Sequence, residues 1–135
     1  MKDGFTKTLK DSNKLATFEE YQADFSVKLV VIAGAGAGSE YIVESNRLTI
    51  GRGPGVDLEF ADDAMSRQHA VIEFSNGLFH VRDLGSTNGI ACNGAPIQGA
   101  TLEHGDQLTI GEHTLQLLIE TREAEPETYI ISGTV

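Results

Sequence analysis

Punctuation is the strongest constraint on this chain. From Phe25 onward, short apolar or alternating runs are broken by turn residues about every eight to twelve positions, the spacing of an all-β sandwich or barrel. Strands are predicted near 27–33, 40–44, 47–51, 57–60, 69–74, 78–83, 90–92, 96–98, 107–110 and 113–119. Asn76-Gly77 and Asn93-Gly94 fit tight hairpin turns whose two central residues both take positive φ. The sheets are therefore expected to be largely antiparallel.

Composition bounds the rest. A chain of 135 residues, 40% of them hydrophobic, is long enough for one domain with a substantial core. Residues 1–25 are polar and mixed in charge; Phe5, Leu9, Leu15 and Phe18 do not sustain a helical apolar face, so this stretch is expected to be a flexible lead outside the core. The domain proper is placed at 26–119. Residues 120–135 turn acidic and then apolar and are expected to form a tail whose Tyr129-Ile130-Ile131 docks on a partner.

Charge excludes some partners. A formal charge of −10 opposes binding to nucleic acid or to anionic lipid, both of which need an extended cationic footprint. Cys92 has no second cysteine to pair with, which suits a reducing compartment. No apolar stretch is long enough for a membrane span, and the opening MKDGFTKTLK lacks the apolar core of a signal peptide. These features together predict a cytoplasmic protein. Its lysines all lie at or before Lys28, so between Leu29 and Glu120 the cations are Arg47, Arg52, Arg67 and Arg82. An anion site in that stretch must use arginine and uncharged donors.

Several familiar chemistries fit poorly. The run AGAGAGS at 33–39 lacks the Gly-Lys-Ser/Thr ending of a nucleotide P-loop and leads into a predicted strand, so it is expected to be a flexible hairpin loop. His69, His80, His104 and His113 show no pair at metal-ligand spacing with each other or with Cys92, and neither metal nor cofactor is expected. Ser66 and His69 have no carboxylate evidently placed to orient the imidazole, which argues against nucleophilic catalysis.

Three short clusters remain: Gly51-Arg52, Ser66-Arg67 and Thr87-Asn88. Taken singly each reads as a turn or a solvated side chain. Taken together they offer guanidinium forks, hydroxyls and an amide, the donors suited to a phosphate dianion, and the loops at one end of a sandwich converge.

The ordered set Gly51-Arg52, Ser66-Arg67-Gln68-His69-Ala70-Val71-Ile72 and Asp83-Leu84-Gly85-Ser86-Thr87-Asn88-Gly89 resembles a forkhead-associated (FHA) domain, with Gly105-Asp106-Gln107-Leu108-Thr109-Ile110-Gly111 similar to the family's closing hairpin. The resemblance implies an all-β, two-sheet antiparallel sandwich of about eleven strands that binds phosphothreonine peptides without catalysis, downstream of a Ser/Thr protein kinase. It also implies that Arg52 and Ser66 bind the phosphate, Arg67 adds a second cationic contact, Thr87 lines the phosphothreonine pocket and Asn88 holds the peptide main chain. Gly51, His69 and Gly89 take structural positions, the histidine bracing the loop that carries Ser66.

Two residues depart from the family pattern. Ile90 replaces the usual Thr or Ser after Asn-Gly and is expected to affect only packing, while Ala64 replaces an arginine that in some relatives selects an acidic residue beyond the phosphothreonine. The alternative function is a phosphorylation-independent assembly module that uses the sandwich as a scaffold. The tails carry Thr6, Thr8, Thr17, Thr121, Thr128 and Thr134; Thr17 and Thr128 are the favoured sites for a phosphorylation that would let the chain capture itself.

Overall fold

The computed structural model describes residues 17–122. Eleven strands follow one helix: α1 (Phe18–Asp24), β1 (Phe25–Ala33), β2 (Glu40–Ile42), β3 (Arg47–Gly51), β4 (Leu58–Glu59), β5 (Ala70–Ser75), β6 (Leu78–Asp83), β7 (Ile90–Cys92), β8 (Ala95–Ile97), β9 (Gly99–Leu102), β10 (Gln107–Ile110) and β11 (His113–Thr121). They form a six-stranded sheet, β2-β1-β11-β10-β7-β8, and a five-stranded sheet, β4-β3-β5-β6-β9. Every pairing given for these strands is antiparallel except the short parallel contact of β3 with β4.

Alternation makes the core. Val27, Leu29 and Val31 of β1 are buried, and their neighbours in register on β11 are Ile119, Leu117 and Leu115. Ile50 of β3, Ile72 and Phe74 of β5, and Phe79 and Val81 of β6 close the core from the other sheet. Each such side chain stabilises the fold by about 1.5–3 kcal/mol on full burial. Asn76 and Asn93 take φ of 54° and 52°, and the glycines after them take 83° and 86°, as tight hairpin turns require.

The predicted strand near 96–98 is in fact two. β8 belongs to the six-stranded sheet and β9 to the other, with Gln98 as the crossing point. Gly99, Ala100 and Thr101 carry too little apolar pattern to mark β9; its pairing with β6 creates the strand.

The expectation that the whole lead lies outside the core is corrected for its last residues. Thr17 caps α1: its Oγ1 accepts from the Glu20 N–H at 3.0 Å, and its own N–H donates to Glu20 Oε1 at 3.1 Å. A helix this short is marginal alone. Docking stabilises it, because Phe18 is buried with its ring 5.4 Å from that of Phe74 and 6.3 Å from that of Phe79. Tyr21 stacks on Phe25 at 4.6 Å. At the other terminus β11 runs past 120 to Thr121, and the Arg122 Nε–H donates to the Gln22 carbonyl at 2.7 Å. Tyr129, Ile130 and Ile131 lie outside the described residues.

α1 and the β5–β6 turn occupy one end of the sandwich. The loops 34–39, 52–57, 60–69 and 84–89 and the β10–β11 turn gather at the other.

Candidate functional site

The site begins where β3 ends. The His69 N–H donates to the Ile50 carbonyl at 2.9 Å, the Arg52 N–H to the Ser66 carbonyl at 3.0 Å, and the Gly53 N–H to the Arg67 carbonyl at 3.2 Å. These bonds bring the segment before β5 so close to β3 that a Cβ on Gly51 would lie 2.7 Å from the Arg67 carbonyl carbon and 3.0 Å from the Ser66 oxygen. Only glycine fits there.

Arg52 is aimed by its backbone surroundings. Its Nε–H donates to the Met65 carbonyl at 3.0 Å, and among the described residues no bond engages its terminal nitrogens. Ser66 Oγ accepts from the Thr87 N–H at 3.1 Å, which leaves the hydroxyl hydrogen free to donate. Asn88 Nδ2 donates to the Ala64 carbonyl at 2.8 Å. One of its amide hydrogens is thus held by the protein, and the other, with the carbonyl oxygen, remains for a ligand.

His69 is fully buried, and both its ring nitrogens bond to backbone: Nδ1 accepts from the Ser66 N–H at 3.0 Å, and Nε2 donates to the Gly89 carbonyl at 2.7 Å. The imidazole therefore braces the loops holding Ser66 and Gly89 and makes no bond to Ser66 Oγ. Gly89, at φ 77°, also donates its N–H to Ser86 Oγ at 2.9 Å.

Asp83 shapes the last loop. Its Oδ2 accepts from the N–H groups of Gly85 and Ser86, each at 3.0 Å, and its Oδ1 from the Ser86 hydroxyl. Burial pushes the Asp83 carboxyl up, but these donors outweigh it and hold the group below the usual carboxylate range.

Arg52, Ser66, Arg67, Thr87 and Asn88 all line one open groove of about 770 Å³, with Asp63, Ala64, Gln68 and Leu84 on its walls. The remaining arginines of the central stretch are committed elsewhere: Arg47 and Arg82 both pair with Glu73, at 3.4 and 3.5 Å. Two forked cations and a hydroxyl in a concave opening suit a doubly charged oxyanion. Ile90, the first departure, is buried in the core, and Ala64, the second, lines the groove. Among the described residues no group of three His, Cys, Asp or Glu side chains could hold a metal ion, and no helix is long and apolar enough to cross a membrane.

Residues 48–111 match the model of the FHA domain family. The chain belongs to the FHA family. The glycogen accumulation regulator GarA of Mycobacterium tuberculosis is 35% identical over 102 residues, covering 76% of this chain and 63% of GarA. The oxoglutarate dehydrogenase inhibitor of Corynebacterium jeikeium is 34% identical over 99 residues, covering 73% of this chain and 69% of that protein. An FHA domain solved in work on phosphothreonine-dependent FHA interactions superposes with a TM-score of 0.63 at 31% identity, covering 69% of this chain and 95% of that one. The chain spans less than two thirds of GarA, so the activity of that whole protein is not carried over.

Some residues that build this FHA site were not singled out from sequence. Asp83 and Ser86 carried a readable signal, an Asp opening a Gly-Ser turn. The carbonyls of Ala64 and Met65 carried none, because every residue has one.

Proposed function

We propose that this FHA protein binds phosphothreonine in partner proteins phosphorylated by a Ser/Thr kinase, and that it acts without catalysis. One observation carries the reading: the free ends of Arg52 and the hydroxyl of Ser66 meet in one groove, each already fixed by a bond to the other loops. In the proposed mode Arg52 forks onto the phosphate, Ser66 donates to it, Arg67 adds a second charge, Thr87 contacts the threonine methyl and Asn88 registers the peptide backbone. Preorganised donors lose little entropy on binding, which favours this mode. The phosphothreonine-dependent interactions named for the similar FHA structure support this reading. The names of the two bacterial relatives, a regulator and an inhibitor, support a regulatory role.

Calorimetric titration with a degenerate phosphothreonine peptide pool and its unphosphorylated twin tests this. Binding restricted to the phosphorylated pool is expected; equal affinity for both would overturn it.

Self-capture of a phosphorylated tail remains part of the proposal, with one change of site. Thr17 begins α1, whose Phe18 is buried at the end of the sandwich opposite Arg52. Adjacent Asn46 precedes β3, and the five residues of β3 separate it from Arg52 by roughly 15–20 Å at about 3.3 Å per residue. Thr17 reaches the groove only if α1 undocks. Thr128 lies outside the described residues and is the site retained in the proposal.

A further inference from the structure

The AGAGAGS loop and the buried pair beside it are left unused by the phosphate site as described. Asp62 and His113 are among the few buried polar side chains, with 5% and 4% of their surface exposed, and Asp62 Oδ2 lies 2.7 Å from His113 Nδ1. The other ring nitrogen, Nε2, lies 3.0 Å from the Ala35 carbonyl. The ring thus bridges the Asp62 carboxyl and the Ala35 carbonyl, one through each nitrogen. The Phe60 ring packs 4.6 Å from the imidazole, and Gly34 leaves room over it, since a Cβ there would sit 2.9 Å from His113 Cδ2. Among the described residues Asp62 is the one acidic side chain bonded to His113; Glu112 contributes its backbone N–H, which donates to Asp62 Oδ2 at 2.8 Å.

The second carboxylate oxygen points the other way. Asp62 Oδ1 accepts from the Ala64 N–H at 2.9 Å, and the Asp62 carbonyl accepts from the Met65 N–H at 3.0 Å. This is the turn whose last two carbonyls hold the site: Ala64 O receives Asn88 Nδ2, and Met65 O receives Arg52 Nε.

We propose that Asp62 and His113 are positioning residues for ligand binding: Asp62 fixes the 62–65 turn that aims Arg52 and Asn88, and His113 holds the Asp62 carboxyl in place while pinning the 34–39 loop to the same end. This rests on the phosphopeptide reading of the groove. It adds a layer that touches no ligand and links three loops remote in sequence.

The test compares two double variants of the full chain. Asp62→Asn with His113→Asn keeps an oxygen for the Ala64 N–H and removes the carboxyl and the imidazole. Asp62→Leu with His113→Phe fills similar volume, which often preserves a fold at a buried ion pair, but removes that acceptor. Affinity for the phosphothreonine peptide pool is read by calorimetry, and the Arg52 Nε–H and Asn88 side-chain amide signals by NMR. The amide pair should bind within about three-fold of wild type, and the apolar pair should fall at least about ten-fold with both signals displaced, the loss of a bond that orders a charged donor. Equal affinity in the two folded variants, with unmoved signals, overturns the proposal.

If the apolar pair does not fold, acid titration of the wild-type chain decides, read only over the pH range in which the amide signals of buried Leu29 and Ile72 stay in place. The Asn88 amide and Arg52 Nε–H must then move together with the Ala64 amide as Asp62 takes up its proton, and independent movement overturns the link. Failure of the phosphopeptide reading is distinct, since it shows as equal wild-type affinity for phosphorylated and plain pools.

Discussion

The backbone N–H of Thr87 donates to the hydroxyl oxygen of Ser66 at 3.1 Å, joining two loops that lie 21 residues apart. That bond sets the spacing between the groove wall proposed to face the phosphate and the wall proposed to read the threonine. It also orients the Ser66 hydroxyl, whose hydrogen stays available. Predictions for the site start from this arrangement.

Arg52→Ala should lower affinity for phosphothreonine peptides about 10- to 100-fold, because a hydrogen bond to a charged group contributes about 1.5–3 kcal/mol. Asn88→Ala should weaken binding less, since one of its amide hydrogens is already held by Ala64. Circular dichroism should show both variants folded. An Arg52→Ala protein that binds as wild type would remove the arginine from the mechanism.

Phosphothreonine should be preferred over phosphoserine by roughly five-fold, the effect of burying one methyl at about 0.8 kcal/mol or somewhat more. Paired peptides differing only in that methyl give the answer directly. Indistinguishable constants would show that Thr87 lines no apolar recess.

Gly51→Ala should destabilise the fold by about 1–3 kcal/mol, the usual cost of forcing extra volume into a packed contact. The Arg67 carbonyl stands in the way, and it is backbone. Binding should fall as well, because relief of the clash moves Ser66 and Arg67. Chemical denaturation and peptide titration on the same sample measure the two effects.

Thr17→Ala should cost about 1 kcal/mol of stability through loss of the helix cap, with unchanged phosphopeptide affinity. Phe18→Ala should cost about 3–5 kcal/mol as a core truncation. Denaturation midpoints with no change in either variant would show that α1 contributes nothing to the domain.

Acid should unfold the protein through Asp62 and Asp83. Burial pushes the Asp62 carboxyl up, but bonds from the Glu112 N–H, His113 and the Ala64 N–H outweigh it and hold the group below the usual carboxylate range. Asp83 is shifted in the same direction. The unfolded chain therefore takes up protons first as pH falls. Stability from these groups is complete above the ordinary carboxylate value of about 4 and is lost as pH drops through the lower folded values. Thermal melts from neutral pH into acid should show this decline, and Asp83→Asn should flatten part of it.

The strands and the residues that line the candidate site were legible in the chain for a physical reason. A strand buried on one face repeats every second residue, so Val27, Leu29 and Val31, or Phe79 and Val81, announce themselves locally. The Asn-Gly pairs are equally local, because positive φ is a property of the residue. Arg52, Ser66, Arg67, Thr87 and Asn88 stood out as donors in loops, and their order along the chain identified the family.

Tertiary structure decided everything that depends on what lies across a gap. β9 is a strand because β6 offers it a ladder, and α1 holds because Phe74 and Phe79 receive Phe18. That Arg47 and Arg82 share one partner, Glu73, follows from the strand register and not from the sequence. Asp62 and His113 lie 51 residues apart and meet only in the folded chain, where a buried contact of 2.7 Å joins the 62–65 turn to the start of β11. Distance and dielectric belong to the fold, and no local pattern of residues encodes them.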